Sequence, residues 1–125
     1  MIDTSVLIGV LPDQIVDAIE DHGASHIVRG ELLRGAERFA AQPNGRELAR
    51  VRAQLVSALD ELRAFWRPFD GAASTAYASL TAMPPSAARS KDALIAAHAV
   101  SLGVPVITAD RGFTRFTGLE IIFTE

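Results

Sequence analysis

Residues 90–110, SKDALIAAHAVSLGVPVITAD, constrain the architecture more than any other part of the chain. Ser90 suits a helix N-cap, and Ile95, Ala96, Ala99 and Leu102 recur at three- and four-residue steps up to Gly103, a helix stop. The stretch VPVIT (104–108) then runs apolar and β-branched without interruption, the pattern of a strand covered on both faces. A helix feeding such a strand requires helices packed on a mainly parallel sheet. One residue conflicts with this pattern. Counted in helical steps, Asp92 shares the apolar stripe, so a carboxylate points where a core residue belongs.

The rest of the chain continues the alternation. MIDTSVLIGVL (1–11) reads as a strand, and PDQIVDAIEDHG as a helix closed by Gly23. ASHIV (24–28) reads as a short strand leading into the helix RGELLRGAERFAA, with Leu32, Ala36, Phe39 and Ala40 at helical spacing. After the loop AQPNG (41–45), residues 46–66 carry Leu48, Val51, Leu55, Leu59, Leu62 and Trp66 at helical steps. RPFD suggests a short strand, AASTAYASLTAM a helix ended by Pro84-Pro85, ADRGFTRF a turn, and LEIIF the last strand. There is no repeat, linker or low-complexity segment. The expectation is one α/β domain over 1–125, a three-layer α/β/α sandwich around a mainly parallel central sheet. In such sheets ligands bind at the carboxyl ends of the strands.

Bulk properties narrow the class. A chain of 125 residues, 49% hydrophobic and 22% charged, builds one globular core. The absence of cysteine excludes disulfides and thiolate metal sites. No apolar run reaches the roughly 18–20 residues of a membrane span, and a soluble, cytoplasmic protein is expected. The net charge of −3 does not advertise a nucleic-acid binder, yet all basic residues but Lys91 are arginines, suited to bidentate phosphate contacts.

Four carboxylates fall at strand ends or helix starts. Asp3 interrupts the first apolar strand, Glu31 opens the second helix pattern, Asp92 opens the helix before VPVIT, and Asp110 lies two residues beyond that strand. Taken singly, each has an ordinary reading as a cap, a turn residue or a partner of a helix dipole, the last worth about 0.3–1 kcal/mol. Taken together they suggest more, because buried carboxylates are costly and commonly hold a cation. Several carboxylates gathered together suit a hard divalent ion, which can activate water and neutralise charge on a phosphate.

These residues resemble a known family. MIDTSVLI resembles the first strand of PIN-domain proteins, GELLRG resembles their Glu-Leu-x-x-Gly helix, and KDALIAAHAVSLGVPVITADRGF resembles their most recognisable block. Order and spacing match over essentially the whole chain, most closely the VapC-type toxins of bacterial toxin–antitoxin pairs. The resemblance implies a ribonuclease dependent on Mg²⁺ or Mn²⁺, with Asp3, Glu31, Asp92 and Asp110 as the acidic quartet and products carrying 3′-hydroxyl and 5′-phosphate ends. It further implies Asp3, Asp92 and Asp110 as metal ligands, Glu31 as a ligand or water-orienting group, and Thr4 and Thr108 as hydroxyls that orient carboxylates. A homodimer and a cognate VapB-like antitoxin follow as expected partners. Two departures stand out: Gly112 occupies a position where many members carry a further acid, and only Met1 and Ile2 precede Asp3.

Phosphate contacts are expected foremost from Arg89 and Lys91, which flank the Asp92 helix start, and from Arg111. Arg29, Arg34, Arg38 and Arg115 are further candidates, with a charge-balanced surface the alternative for each. His22, His26 and His98 lack metal-ligand spacing and receive no catalytic role. A receiver domain is excluded because its late-strand lysine is missing, and a haloacid-dehalogenase-type phosphatase because Ser5 stands where its second acid belongs. The remaining alternative is a PIN-like module that binds RNA or a protein without cutting.

Overall fold

The computed structural model describes residues 1–82 and 90–124. Its strand pairings are parallel: β1 (Ala24–Ser25) with β2 (Trp66–Arg67), and β3 (Val106–Thr108) with β4 (Ile121–Phe123), Val106 lying opposite Ile121. The N-terminal residues join the two pairs. The Ile2 amide donates to the Gly23 carbonyl at 2.8 Å, the Asp3 amide to the Ile107 carbonyl at 2.9 Å, and the Ile107 amide to the Met1 carbonyl at 2.8 Å. The hydrogen-bonded order is therefore β2, β1, Met1–Asp3, β3, β4, the α/β sandwich arrangement expected from the sequence.

The first strand is much shorter than expected. At Asp3 the chain turns into α1 (Thr4–Leu7), with the Asp3 carbonyl accepting from the Val6 and Leu7 amides. Val6 and Leu7 are buried, but Ile8 and Val10 are exposed, so the apolar run spans one helical turn and a surface segment. The next helix is also short: α2 (Asp13–Asp17) gives way to a 3₁₀ turn at Ile19–Asp21.

Ser25 ends the strand expected over 24–28, because its hydroxyl caps α3 (His26–Ala40) by accepting from the Ile27 amide at 3.1 Å. Likewise α4 (Arg46–Asp60) stops well before Trp66. Ala64 adopts a left-handed φ of 58° and turns the chain, so that Phe65 enters the core and Trp66 joins β2. Here burial of an aromatic ring and the bond from the Ala24 amide to the Phe65 carbonyl outweigh a helical spacing that continues in sequence.

Asp70 caps α5 (Gly71–Thr81) through the Ala73 amide; Met83 and Pro84-Pro85, expected at its end, lie outside the described residues. Ser90 caps α6 (Lys91–Leu102), which closes at Gly103 with φ 68°. Ile95, Ala96 and Ala99 are fully buried, whereas Leu102, expected on the same stripe, is exposed at the last turn. α5 packs along α6 and α3 along α4, and α3 also touches α6 and β1. Ile2, Val28, Leu32, Ile95, Val106 and Phe113 form the solvent-free centre.

Candidate active site at the strand ends

Asp3 is only 4% exposed, although it ends the N-terminal strand segment and precedes α1. Its side chain makes no capping bond to that helix. Instead Oδ2 accepts two hydroxyl protons, from Ser5 Oγ at 2.8 Å and from Thr108 Oγ1 at 2.9 Å. A hydroxyl has one proton to give, so with both directed at Asp3 the 3.2 Å approach of Ser5 to Thr108 is a packing contact. Both hydroxyls also accept: Ser5 Oγ from the Ala109 amide at 3.1 Å, Thr108 Oγ1 from the Asp110 amide at 2.9 Å. The end of the first strand is thereby fastened to the loop leaving β3. Among the described residues no donor reaches Asp3 Oδ1.

Asp110 continues this loop. Its Oδ1 accepts from the Gly112 amide at 2.8 Å and caps the 3₁₀ turn Arg111–Arg115. Glu31 projects from α3, where Thr4 Oγ1 donates to Oε1 at 3.0 Å and the Lys91 ammonium sits 2.9 Å from Oε2. Asp92, in the first turn of α6, lies 3.7 Å from the Arg115 guanidinium. Burial, and then the charges of Asp3 and Asp110, push the Asp92 carboxyl above its ordinary range; Glu31 acts in the same direction and Arg115 against it. All four acids thus share one local field.

That field has the right chemistry for a cation, since its donors are carboxylate oxygens and its like charges are mutually unfavourable. Among the described residues, however, no three acidic, imidazole or thiolate side chains form a group that could hold a metal as they stand. Lys91 and Arg115 supply part of the countercharge instead. The residues fit a hard divalent ion in donor type and charge.

The other basic side chains are dispersed. Arg29 forks onto Asp60 with contacts of 3.0 and 2.9 Å, and Arg34 and Arg38 lie exposed on α3. Arg111 stacks 4.1 Å from the Phe123 ring centroid. Arg115 lies over Phe116 and donates to the Gly112 carbonyl at 2.6 Å and to Ser90 Oγ at 3.2 Å. Arg89 lies outside the described residues. His98 is buried against Phe69, and burial pushes its pKa down.

Sequence reasoning overlooked Ser5 and gave Arg115 no special place. The signal for Ser5 was a hydroxyl two residues after an acid at a strand end, where it can turn back onto that acid. A cavity of about 540 Å³, lined by Met1, His22, Arg63, Arg67 and Pro105 among others, contains none of the four acids.

Comparison with known proteins agrees with this fold. A family model described as PIN domain matches residues 1–119. Among solved structures, the chain is similar to VapBC2 from Rickettsia felis bound to a DNA fragment from their promoter, at TM-score 0.73 and 19% identity, covering 100% of this chain and 98% of the other. It is similar to VapBC-5 from Mycobacterium tuberculosis, a member of the VapBC family of toxin-antitoxin systems, at TM-score 0.72 and 26% identity, covering 99% and 95%. FitAcB from Neisseria gonorrhoeae aligns at TM-score 0.64 and 20% identity, covering 97% and 94%. No curated protein matches in sequence.

Proposed function

The chain belongs to the PIN domain family, and on that premise we propose that it is a metal-dependent endoribonuclease, the toxin of a toxin–antitoxin pair. The observation that carries this reading is the position of Asp92 in the combined field of Asp3, Asp110 and Glu31. Asp3, Asp92 and Asp110 would hold Mg²⁺ or Mn²⁺. When bound, such an ion supplies Lewis acidity toward the phosphodiester and lowers the pKa of its water.

The chain's own residues do the positioning. Ser5 and Thr108 fix one oxygen of Asp3 and leave the other for a ligand, while Thr4 holds Glu31. Glu31 orients the attacking water and accepts its proton. Lys91, Arg111 and Arg115 offer cationic contacts to the RNA phosphates beside the acids. Such a rim attracts RNA despite the net charge of −3.

The similarity to VapBC-5 supports a cognate, VapB-like antitoxin as partner; a homodimer is part of the same proposal. No helix among the described residues is long and apolar enough to cross a membrane, in keeping with action in the cytoplasm.

A second reading, a PIN module that binds RNA or protein without cutting it, draws on two observations. Gly112 supplies no further acid, and the described residues contain no closed metal group. Cleavage of total bacterial RNA by the purified chain, with Mg²⁺, Mn²⁺ or EDTA and with Asp92→Asn as control, separates the two. The nuclease reading requires metal-dependent cutting that the variant loses. RNA binding without cutting under any metal supports the second reading.

A further inference from the structure

We propose that Lys91 is a tethered counter-cation of the acidic cluster, holding Glu31 in place without metal and weakening divalent-ion binding because the ion must compete with it. The inference rests on the metal-dependent reading of the site. Its starting point is where Lys91 sits. It is the chain's only lysine and occupies the first position of α6, where a positive charge is disfavoured by the helix dipole. Its ammonium nevertheless reaches across to α3 and lies 2.9 Å from Glu31 Oε2.

That contact gives Glu31 a state different from that of Asp3. Glu31 has a donor on each oxygen, Thr4 on Oε1 and Lys91 on Oε2, whereas Asp3 receives both of its hydroxyl protons on Oδ2. Asp3 can therefore offer an oxygen without losing a partner. Each Glu31 oxygen keeps a lone pair, but a cation approaching Oε2 meets the charge of the Lys91 ammonium already there. The Lys91 side chain is 61% exposed, so its ammonium can move to water at small cost once another cation neutralises the acids. Arg115 differs, because it is also held by the Gly112 carbonyl, Ser90 and the Phe116 ring. Lys91 is thus the cation most easily exchanged.

The test is isothermal titration of Mn²⁺ into the purified chain and into Lys91→Met, which keeps the length of the side chain but not its charge. Removing one positive charge within a few ångströms of a divalent ion, at surface dielectric and with screening, should tighten Mn²⁺ binding roughly tenfold. Lys91→Arg, which retains the charge, should bind within about twofold of the parent by the same reasoning. In a Glu31→Gln background the gain from Lys91→Met should shrink, because the pair it breaks is already gone. Equal or weaker binding by Lys91→Met overturns the inference while leaving the metal site standing. Absence of Mn²⁺ binding by the parent and every variant overturns the metal reading, and this inference with it.

Discussion

Thr108→Val isolates the contribution of one hydroxyl to the architecture of the site. Thr108 is fully buried at the end of β3, and its Oγ1 donates to Asp3 at 2.9 Å while accepting from the Asp110 amide at 2.9 Å. Valine has nearly the same shape, so no cavity opens. A hydrogen bond to a buried charged group contributes about 1.5–3 kcal/mol, and the stranded Asp110 amide adds up to about 1 kcal/mol. Extra apolar burial by the new methyl offsets about 0.8 kcal/mol. The net expectation is a loss of about 1–3 kcal/mol, a substantial share of the roughly 5–15 kcal/mol that holds a domain together. Urea denaturation at pH 7 without divalent ions reads it as a lower midpoint at unchanged slope. Thr114→Val is the control, because its exposed hydroxyl bonds only a carbonyl within the 3₁₀ turn, to Arg111 at 2.8 Å. If Thr108→Val stays within about 0.5 kcal/mol of the parent, the usual range for a surface substitution, the hydroxyl does not hold Asp3 as argued.

Two further outcomes follow from the same structure. Asp92→Asn should stabilise the metal-free chain at neutral pH, with the gain disappearing as pH falls. The Asp92 pKa is raised in the fold, above all by burial, so between the unfolded value near 3.8 and the folded one the native state keeps a proton that the unfolded state has lost. Parent stability therefore falls as pH rises through that window, and the penalty is absent below it. Thermal melts of both proteins from pH 3 to 8 test this, and a pH-independent difference refutes the coupling. Gly103→Ala should cost about 1 kcal/mol, because φ 68° is unfavourable for a residue with a Cβ although nothing obstructs the added atom. An unchanged melting temperature would show that α6 can end another way.

What could be read from sequence was local. The α6–β3 unit was legible because the stripe Ile95, Ala96, Ala99, the stop at Gly103 and the apolar VPVIT run each respond to one dominant force, burial or backbone freedom. The first strand was misjudged because MIDTSVLIGVL is apolar whichever conformation it takes. What decides is Asp3, whose carbonyl starts a helical turn while its side chain binds a strand distant in sequence. The end of α4 was misjudged for a related reason. Leu62 and Trp66 keep a helical spacing, but Phe65 gains more from the core, and the turn at Ala64 is what delivers it. For the candidate site, sequence position put Asp3, Glu31, Asp92 and Asp110 at strand ends and helix starts; Glu31 instead lies in the second turn of α3, because Ser25 starts that helix at His26. Sequence position could not show that Ser5 turns back onto Asp3, or that Lys91 reaches Glu31 from another helix.

The arrangement of donors explains how such a cluster can persist without a bound ion. Asp92 opposes folding through burial and like charges, and Asp3 is a buried carboxylate that needs partners. The compensation is divided by chemistry. Neutral hydroxyls from Ser5 and Thr108 hold the most buried acid, whereas the cations Lys91 and Arg115 stand at the more accessible ones. A charged partner on Asp3 would itself need burial, at a cost that close pairing repays only with excellent geometry. A hydroxyl fixes the carboxylate and leaves its negative charge uncancelled, which is the condition under which that oxygen still attracts a divalent ion. Of the cations at the half-buried acids, Lys91 is the exchangeable one, and its removal costs little because water replaces the lost contact.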